Sequence, residues 1–281
     1  MDWTLAIELG FAAAGAAILG SMLGLGGGVF LVPLFTLFFD IDPKIAVGAS
    51  AVSVVANSIV GSTNHLRNGF TNLRISMLLG IVSALGALIG ASIAVGANTS
   101  LLNFVFGLVL IYASASMILK RTNVIPNAPP NAPDPFELRA SYRDGTSRRV
   151  VEYVPQRVRS GLVISSGAGV LSGLLGVGGG VVQVPAMNIF MSIPLKAAAG
   201  TSSFMVGITS VATATVFYAD GKIDPSVVVP TLFGIYVGSQ IGSRLTKRVD
   251  TQRLLLIFVV VLGYLGLSML LKSFGINLTG R

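Results

Sequence analysis

The chain has 281 residues, 53% of them hydrophobic and 11% charged, against about a quarter charged in a soluble globular domain, so composition excludes an ordinary soluble fold and points to a membrane protein. The absence of cysteine and the single histidine, His65, exclude disulfides, thiolate chemistry and a Cys or His metal cluster. The net charge of +8 does not argue for nucleic acid, because eight of the nineteen basic residues fall between Lys120 and Arg159, a cluster that reads first as a cytoplasmic loop.

Five apolar segments open the chain, near residues 3–23, 27–39, 44–65, 73–97 and 100–120. Most approach the ~20 residues a helix needs to span a bilayer, and the second is at the short end. Glu8 is the one carboxylate well inside an apolar segment. Ion-coupled carriers commonly hold such residues in the membrane, so no proton relay is evident, and transport is passive or protons travel on the substrate.

Leading from the first segment into the second stands "GLGGGVFLVP", residues 24–33. Each glycine costs a helix about 1 kcal/mol relative to alanine. Close packing of helices in lipid is one reason to keep them. A break at membrane depth is the other, tolerated only where the backbone lines a cavity or is buried in protein. Freed N–H groups at a half-helix N-terminus there suit an anion. The run lacks the preceding strand and the later acidic residue of a dinucleotide fingerprint.

Segment three opens with Lys44 and carries Ser50, Ser53, Asn57, Ser58 and Asn64 before ending at His65. Hydroxyls and amides in membrane helices often only bond their own backbone or a neighbour. As a set, uncharged donors at Ser50, Ser53 and Asn57 suit a small oxyanion that must be held and released. Lys44 either snorkels to the headgroups or attracts anions to a mouth. His65 either titrates near neutral pH or satisfies a local hydrogen bond. Gly86 and Gly90 in segment four form a G-x-x-x-G packing face.

Residues 121–158 differ in kind. Recurrent prolines in "VIPNAPPNAPDPF" stop any helix, and Asp144-Gly145 between β-forming runs predicts a small hairpin. This stretch is expected to be a cytoplasmic linker between a first membrane unit, 1–120, and a second, 159–281.

The second unit repeats the first. Shifting by 152 residues aligns "GLGGGVFLVP" with "GVGGGVVQVP", residues 176–185, and "KIAVGAS" with "KAAAGTS". Lys196 thus answers Lys44, and Thr201, Ser202 and Thr209 join the polar residues of segment three. Gly238 and Gly242 repeat the Gly86 and Gly90 pair. The charge of equivalent loops reverses, however. "HLRNGFTNLR" is basic where "YADGKIDPS" is not, and "AVGANTSLLN" is uncharged where "SRLTKRVDTQRL" is basic. Since short cytoplasmic loops collect Lys and Arg, the expectation is an all-α integral membrane protein of two inverted-topology repeats. Each has about five segments, one of them short or broken and glycine-rich, and both termini lie outside.

The doubled G-x-G-G-G-x-x-x-V-P run, the two openings of segment three and "NHLRNGFTNLR" at its end resemble the sulfite exporter TauE/SafE family, also called the toluene-sulfonate uptake permeases. The resemblance covers the chain apart from the linker, whose length departs from compact members and leaves room for regulation. It implies an inner-membrane secondary carrier, an exporter by preference, for small sulfur-containing anions such as sulfite, sulfonates or sulfoacetate. Repeats that rock about a midplane site are a frequent build for such carriers.

The candidate substrate site is Gly26, Gly27, Gly28, Ser50, Ser53 and Asn57 with Gly178, Gly179, Gly180, Thr201, Ser202 and Thr209. Lys44, Lys196 and His65 are candidates for gating or anion attraction. No catalytic residue, metal or cofactor is expected. The partners are a small anionic substrate and the lipid bilayer, with a homodimer left open. The readings from other classes are a membrane-embedded enzyme subunit, for which no nucleophile–base pair is evident, and a signalling scaffold acting through the linker.

Overall fold

A computed structural model describes residues 3–22, 27–67, 69–119, 134, 136–143, 150–245 and 251–276. In chain order the elements are α1 (Trp3–Met22), α2 (Gly28–Phe38), α3 (Pro43–Arg67), α4 (Leu73–Gly96), α5 (Thr99–Leu119), β1 (Ala140–Arg143), β2 (Val150–Tyr153), α6 (Val158–Leu175), α7 (Gly180–Ile189), α8 (Leu195–Ala219), α9 (Pro225–Leu245) and α10 (Thr251–Ser273). Among the described residues seven helices, α1, α3, α4, α5, α6, α8 and α10, are long and apolar enough to cross a membrane. The molecule is an all-α membrane protein.

Local sequence explains the boundaries. Pro43 and Pro225 open α3 and α9, where a missing N–H costs nothing and the fixed φ suits the first turn. The Asn72 side chain caps α4 by accepting from the Ile75 N–H at 3.3 Å. α2 and α7 start at a glycine, have 11 and 10 residues, and carry Pro33 and Pro185 at equivalent points. At 1.5 Å per residue each is about 16 Å long, half the ~30 Å hydrocarbon core.

Helix directions follow from the contacts. On α1 and α9, Gly10 meets Pro230, Ala14 meets Gly238 and Ile18 meets Gly242, so these two run parallel. On α4 and α6, Ser83 meets Gly169 and Ala87 meets Gly173, again parallel. α3 and α8 run antiparallel, with Gly48 against Lys222, Ser58 against Gly207 and Phe70 against Gly200. α5 and α10 are antiparallel too, pairing Phe104 with Phe274, Gly107 with Leu270 and Ser114 with Val259.

Exchanging α1–α5 with α6–α10 turns the first parallel pair into the second and maps each antiparallel pair onto itself. Backbone detail repeats likewise: φ is 73° and 74° at Gly27 and Gly179, 52° and 54° at Asp40 and Ser192, and 69° and 68° at Gly69 and Gly221. The glycines of the two parallel seams lie against backbone carbonyls of the facing helix. Small residues allow that approach where no hydrophobic effect drives helices together.

The larger apolar cluster gathers α2 against α1, α3 and α10, with the Phe30 and Phe258 rings edge to face at 5.4 Å. A second cluster lies at one end of the molecule, where the hairpin of β1 and β2 docks. β1 and β2 are antiparallel, Ala140 opposite Tyr153 and Tyr142 opposite Val151. Leu138, Tyr142 and Tyr153 are buried there against Ile75, Val158, Met187 and Ala197. Asp134 holds the approach by accepting from the Leu138 and Arg139 N–H groups at 2.8 and 2.7 Å. The Asp144-Gly145 turn expected from sequence lies outside the described residues.

Candidate functional site

Helix α6 ends at Gly176, whose φ of 65° is left-handed and whose N–H donates to Ser172 O at 2.7 Å. Gly178 and Gly179, at φ 75° and 74°, complete the reversal into α7. Only glycine takes three left-handed positions in four residues without strain. The first copy reaches α2 through Gly27 in the same conformation, and no side chain caps either α2 or α7. Their first-turn dipole ends, each worth about half a positive charge, are therefore not offset by a side-chain acceptor.

The two glycine turns meet. A Cβ at Gly28 would stand 3.3 Å from Val177 Cα and 3.1 Å from Ser50 Oγ. The Ser50 hydroxyl lies between the turns, within donating distance of Gly176 O at 2.9 Å and Gly28 O at 3.3 Å. From the other side Thr209 Oγ1 lies within donating distance of Gly178 O at 3.0 Å and of its own helix at Val206 O at 3.0 Å. Val54 reaches both turns, and Val206 and Ser210 press on Gly178. These contacts come from facing stripes of α3 and α8, positions 50 and 54 on one and 206, 209 and 210 on the other, spaced as one helix face requires. None of these five side chains is charged.

Hydroxyls in this seam are not all committed. Ser53, Ser202 and Ser210 are buried and have no hydrogen-bond partner. An unsatisfied buried group costs about 1–3 kcal/mol, so three in one helix pair call for an explanation by function. A further polar niche lies behind Gly179. Gln183 Nε2 donates to Ser83 Oγ at 2.7 Å, while Gln183 Oε1 and Ser172 Oγ are unpartnered.

The sequence-predicted residues divide accordingly. Gly28, Ser50, Gly178 and Thr209 come together, and Gly27, Gly179 and Gly180 form the adjoining turns and helix start. Asn57 is buried on the same α3 face two turns beyond Ser50. Gly26 lies outside the described residues. Thr201 sits elsewhere, its Oγ1 accepting from the Asn72 N–H at 3.2 Å at the α3–α4 turn. Lys44 Nζ donates to Val95 O at 2.6 Å at the C-terminus of α4, where a cation meets the negative helix end.

Lys196 is exposed in the first turn of α8. His65 closes α3 with its ring 6.4 Å from that of Phe70. Sequence reasoning missed Val54, Val206 and Gln183. Only Gln183 left a signal, as the one polar residue of "GVVQVP" where the first copy has Leu31.

Comparison with known proteins fits this picture of a membrane-embedded repeat. The family model described as "Sulfite exporter TauE/SafE" matches residues 9–269. The "Probable membrane transporter protein YunE" of Bacillus subtilis is 25% identical, over 97% of this chain and 99% of its own length. A "Probable membrane transporter protein" of Methanocaldococcus jannaschii is 27% identical over 90% and 91%, and one of Xylella fastidiosa 27% over 84% and 82%. No solved structure matches the chain.

Proposed function

Because the chain belongs to the sulfite exporter TauE/SafE family, we propose that this membrane transporter moves small sulfur-containing anions such as sulfite, sulfonates or sulfoacetate, in the direction of export. The observation that carries the reading is the meeting of two glycine turns at Ser50, with Thr209 beside the second turn. Two uncapped helix N-termini and uncharged hydroxyls offer donors to an oxyanion without a fixed cation to retain it. Ser53, Asn57, Ser202 and Ser210 complete the proposed donor set.

The mechanism is alternating access between two oppositely oriented five-helix units. Antiparallel packing of the equivalent helices α3 and α8, and of α5 and α10, supports that orientation. The basic loops support an orientation in which the linker is cytoplasmic, the protein sits in the inner membrane and both termini are outside. Uptake of labelled sulfite, sulfoacetate and taurine into proteoliposomes, with and without a pH gradient, tests the reading. At least one anion should accumulate above protein-free vesicles. Movement of none of them, with none raising the unfolding temperature of the purified protein, would remove the anion assignment.

A further inference from the structure

Two contacts close the α3–α8 seam at its opposite ends, and they are equivalent under the 152-residue shift. At one end a Cβ on Gly48 would stand 2.6 Å from Lys222 O. At the other a Cβ on Gly200 would stand 3.0 Å from Phe70 Cβ and 3.1 Å from Phe70 C. Each helix is thus sealed near its start by the turn that follows its partner. Both seals are shut, and Ser50, Ser53, Thr209 and Ser210 between them are at most 1% exposed.

The two ends differ in what covers them. At the Phe70 end, Thr71 Oγ1 donates to Gly200 O at 3.2 Å and the Asn72 N–H donates to Thr201 Oγ1. Asn72 Nδ2 donates to Leu138 O at 2.8 Å, in the strand approach of the hairpin, while its Oδ1 caps α4. The Tyr142 ring packs edge to face on Phe70 at 5.3 Å, and both hairpin tyrosines are buried in the cluster beneath. Among the described residues the only sheet is this hairpin, so no strand covers the Lys222 end.

We propose that Phe70 against Gly200 and Lys222 against Gly48 are the two gates of the transport path, and that the docked hairpin is a clasp on the Phe70 gate alone. The proposal rests on the transport reading for its purpose but not for its test. Opening the Phe70 gate requires α8 to leave the 70–72 turn, which breaks the Thr71 and Asn72 bonds and unseats Tyr142. Opening the Lys222 gate breaks no contact with the hairpin. The asymmetry lets one soluble element set how often one mouth opens.

The chain has no cysteine, so Ser210→Cys places a single reporter thiol between the gates. Its modification by a membrane-impermeant methanethiosulfonate is timed separately from each face of the membrane. In that background Tyr142→Ala should raise the rate several-fold from the hairpin face and leave the opposite face unchanged. Gly48→Ala, which wedges the other gate, should do the reverse. Equal change from both faces, or no change from either, overturns the clasp.

If Tyr142→Ala does not fold, Phe70→Leu carries the same expectation and is read the same way. Thiol rates need no cargo. With flux measured on the protein that keeps Ser210, face-specific rates without anion flux would overturn the anion reading and leave the clasp standing, whereas anion flux with face-independent rates would overturn the clasp alone.

Discussion

At Ser50 one hydroxyl stands beside two buried carbonyl oxygens from different halves of the chain. Replacing it with alanine leaves Gly176 O and Gly28 O without that donor, a loss of about 1–3 kcal/mol. Ser92, whose hydroxyl bonds its own helix at Leu88 O on an exposed face, should change stability by no more than about 0.5 kcal/mol as alanine. Unfolding of both variants in detergent measures the difference, and equal effects would remove Ser50 from its joining role.

The phenol ring of Tyr153 is buried beneath the hairpin. Burial pushes its phenol from an ordinary 10.0 up to about 12, with a hydrogen bond to Asn72 acting the other way. The raised value belongs to the docked state, so docking favours the neutral phenol. Its contribution is complete below pH 10 and is lost as the pH rises towards 12. Spectroscopic titration should show a late phenolate that is lost in Tyr153→Phe, and an unchanged titration curve in that variant would contradict the docked state.

Among elements, the parallel seam of α4 and α6 is the most demanding. Gly90 lies directly on the Val170 backbone, and Gly173 on that of Ala87. Gly90→Ala must move one helix, and overpacking of this kind costs about 1–3 kcal/mol. Gly61, within α3, has nothing within 4 Å of its added Cβ, so alanine there should stabilise by up to about 1 kcal/mol. Opposite signs in paired unfolding curves are expected.

Much at this scale was legible in the sequence. Both glycine-led helices and the third segments stand where apolar runs and glycine put them, and two strands flank the expected Asp144-Gly145 turn, which itself lies outside the described residues. The lengths of α2 and α7 were less so. The second segment, expected at 27–39, is α2 at Gly28–Phe38, whereas its counterpart α7 was given no bounds beyond the glycine run that opens it.

For the whole molecule, the repeat in sequence indicated that two glycine runs would matter together, but not which side chains would join them. Ser50 and Gly176 are 126 residues apart, and no local pattern predicts such a pair. Thr201 looked equivalent in chemistry to Ser202, yet the α3–α4 turn occupies it. Val54 and Val206 were invisible because an apolar residue facing a glycine turn is written no differently from one facing lipid.

Halves of opposite orientation, as proposed, would put Asn98 and Thr246 on opposite faces of the membrane. Single cysteines at Asn98, exposed after α4, and at Thr246, after α9, test this through labelling of intact cells with an impermeant maleimide. Reaction from outside is expected at Asn98 and none at Thr246 until the membrane is opened; reaction of both from the same face would mean that the halves are not oppositely oriented.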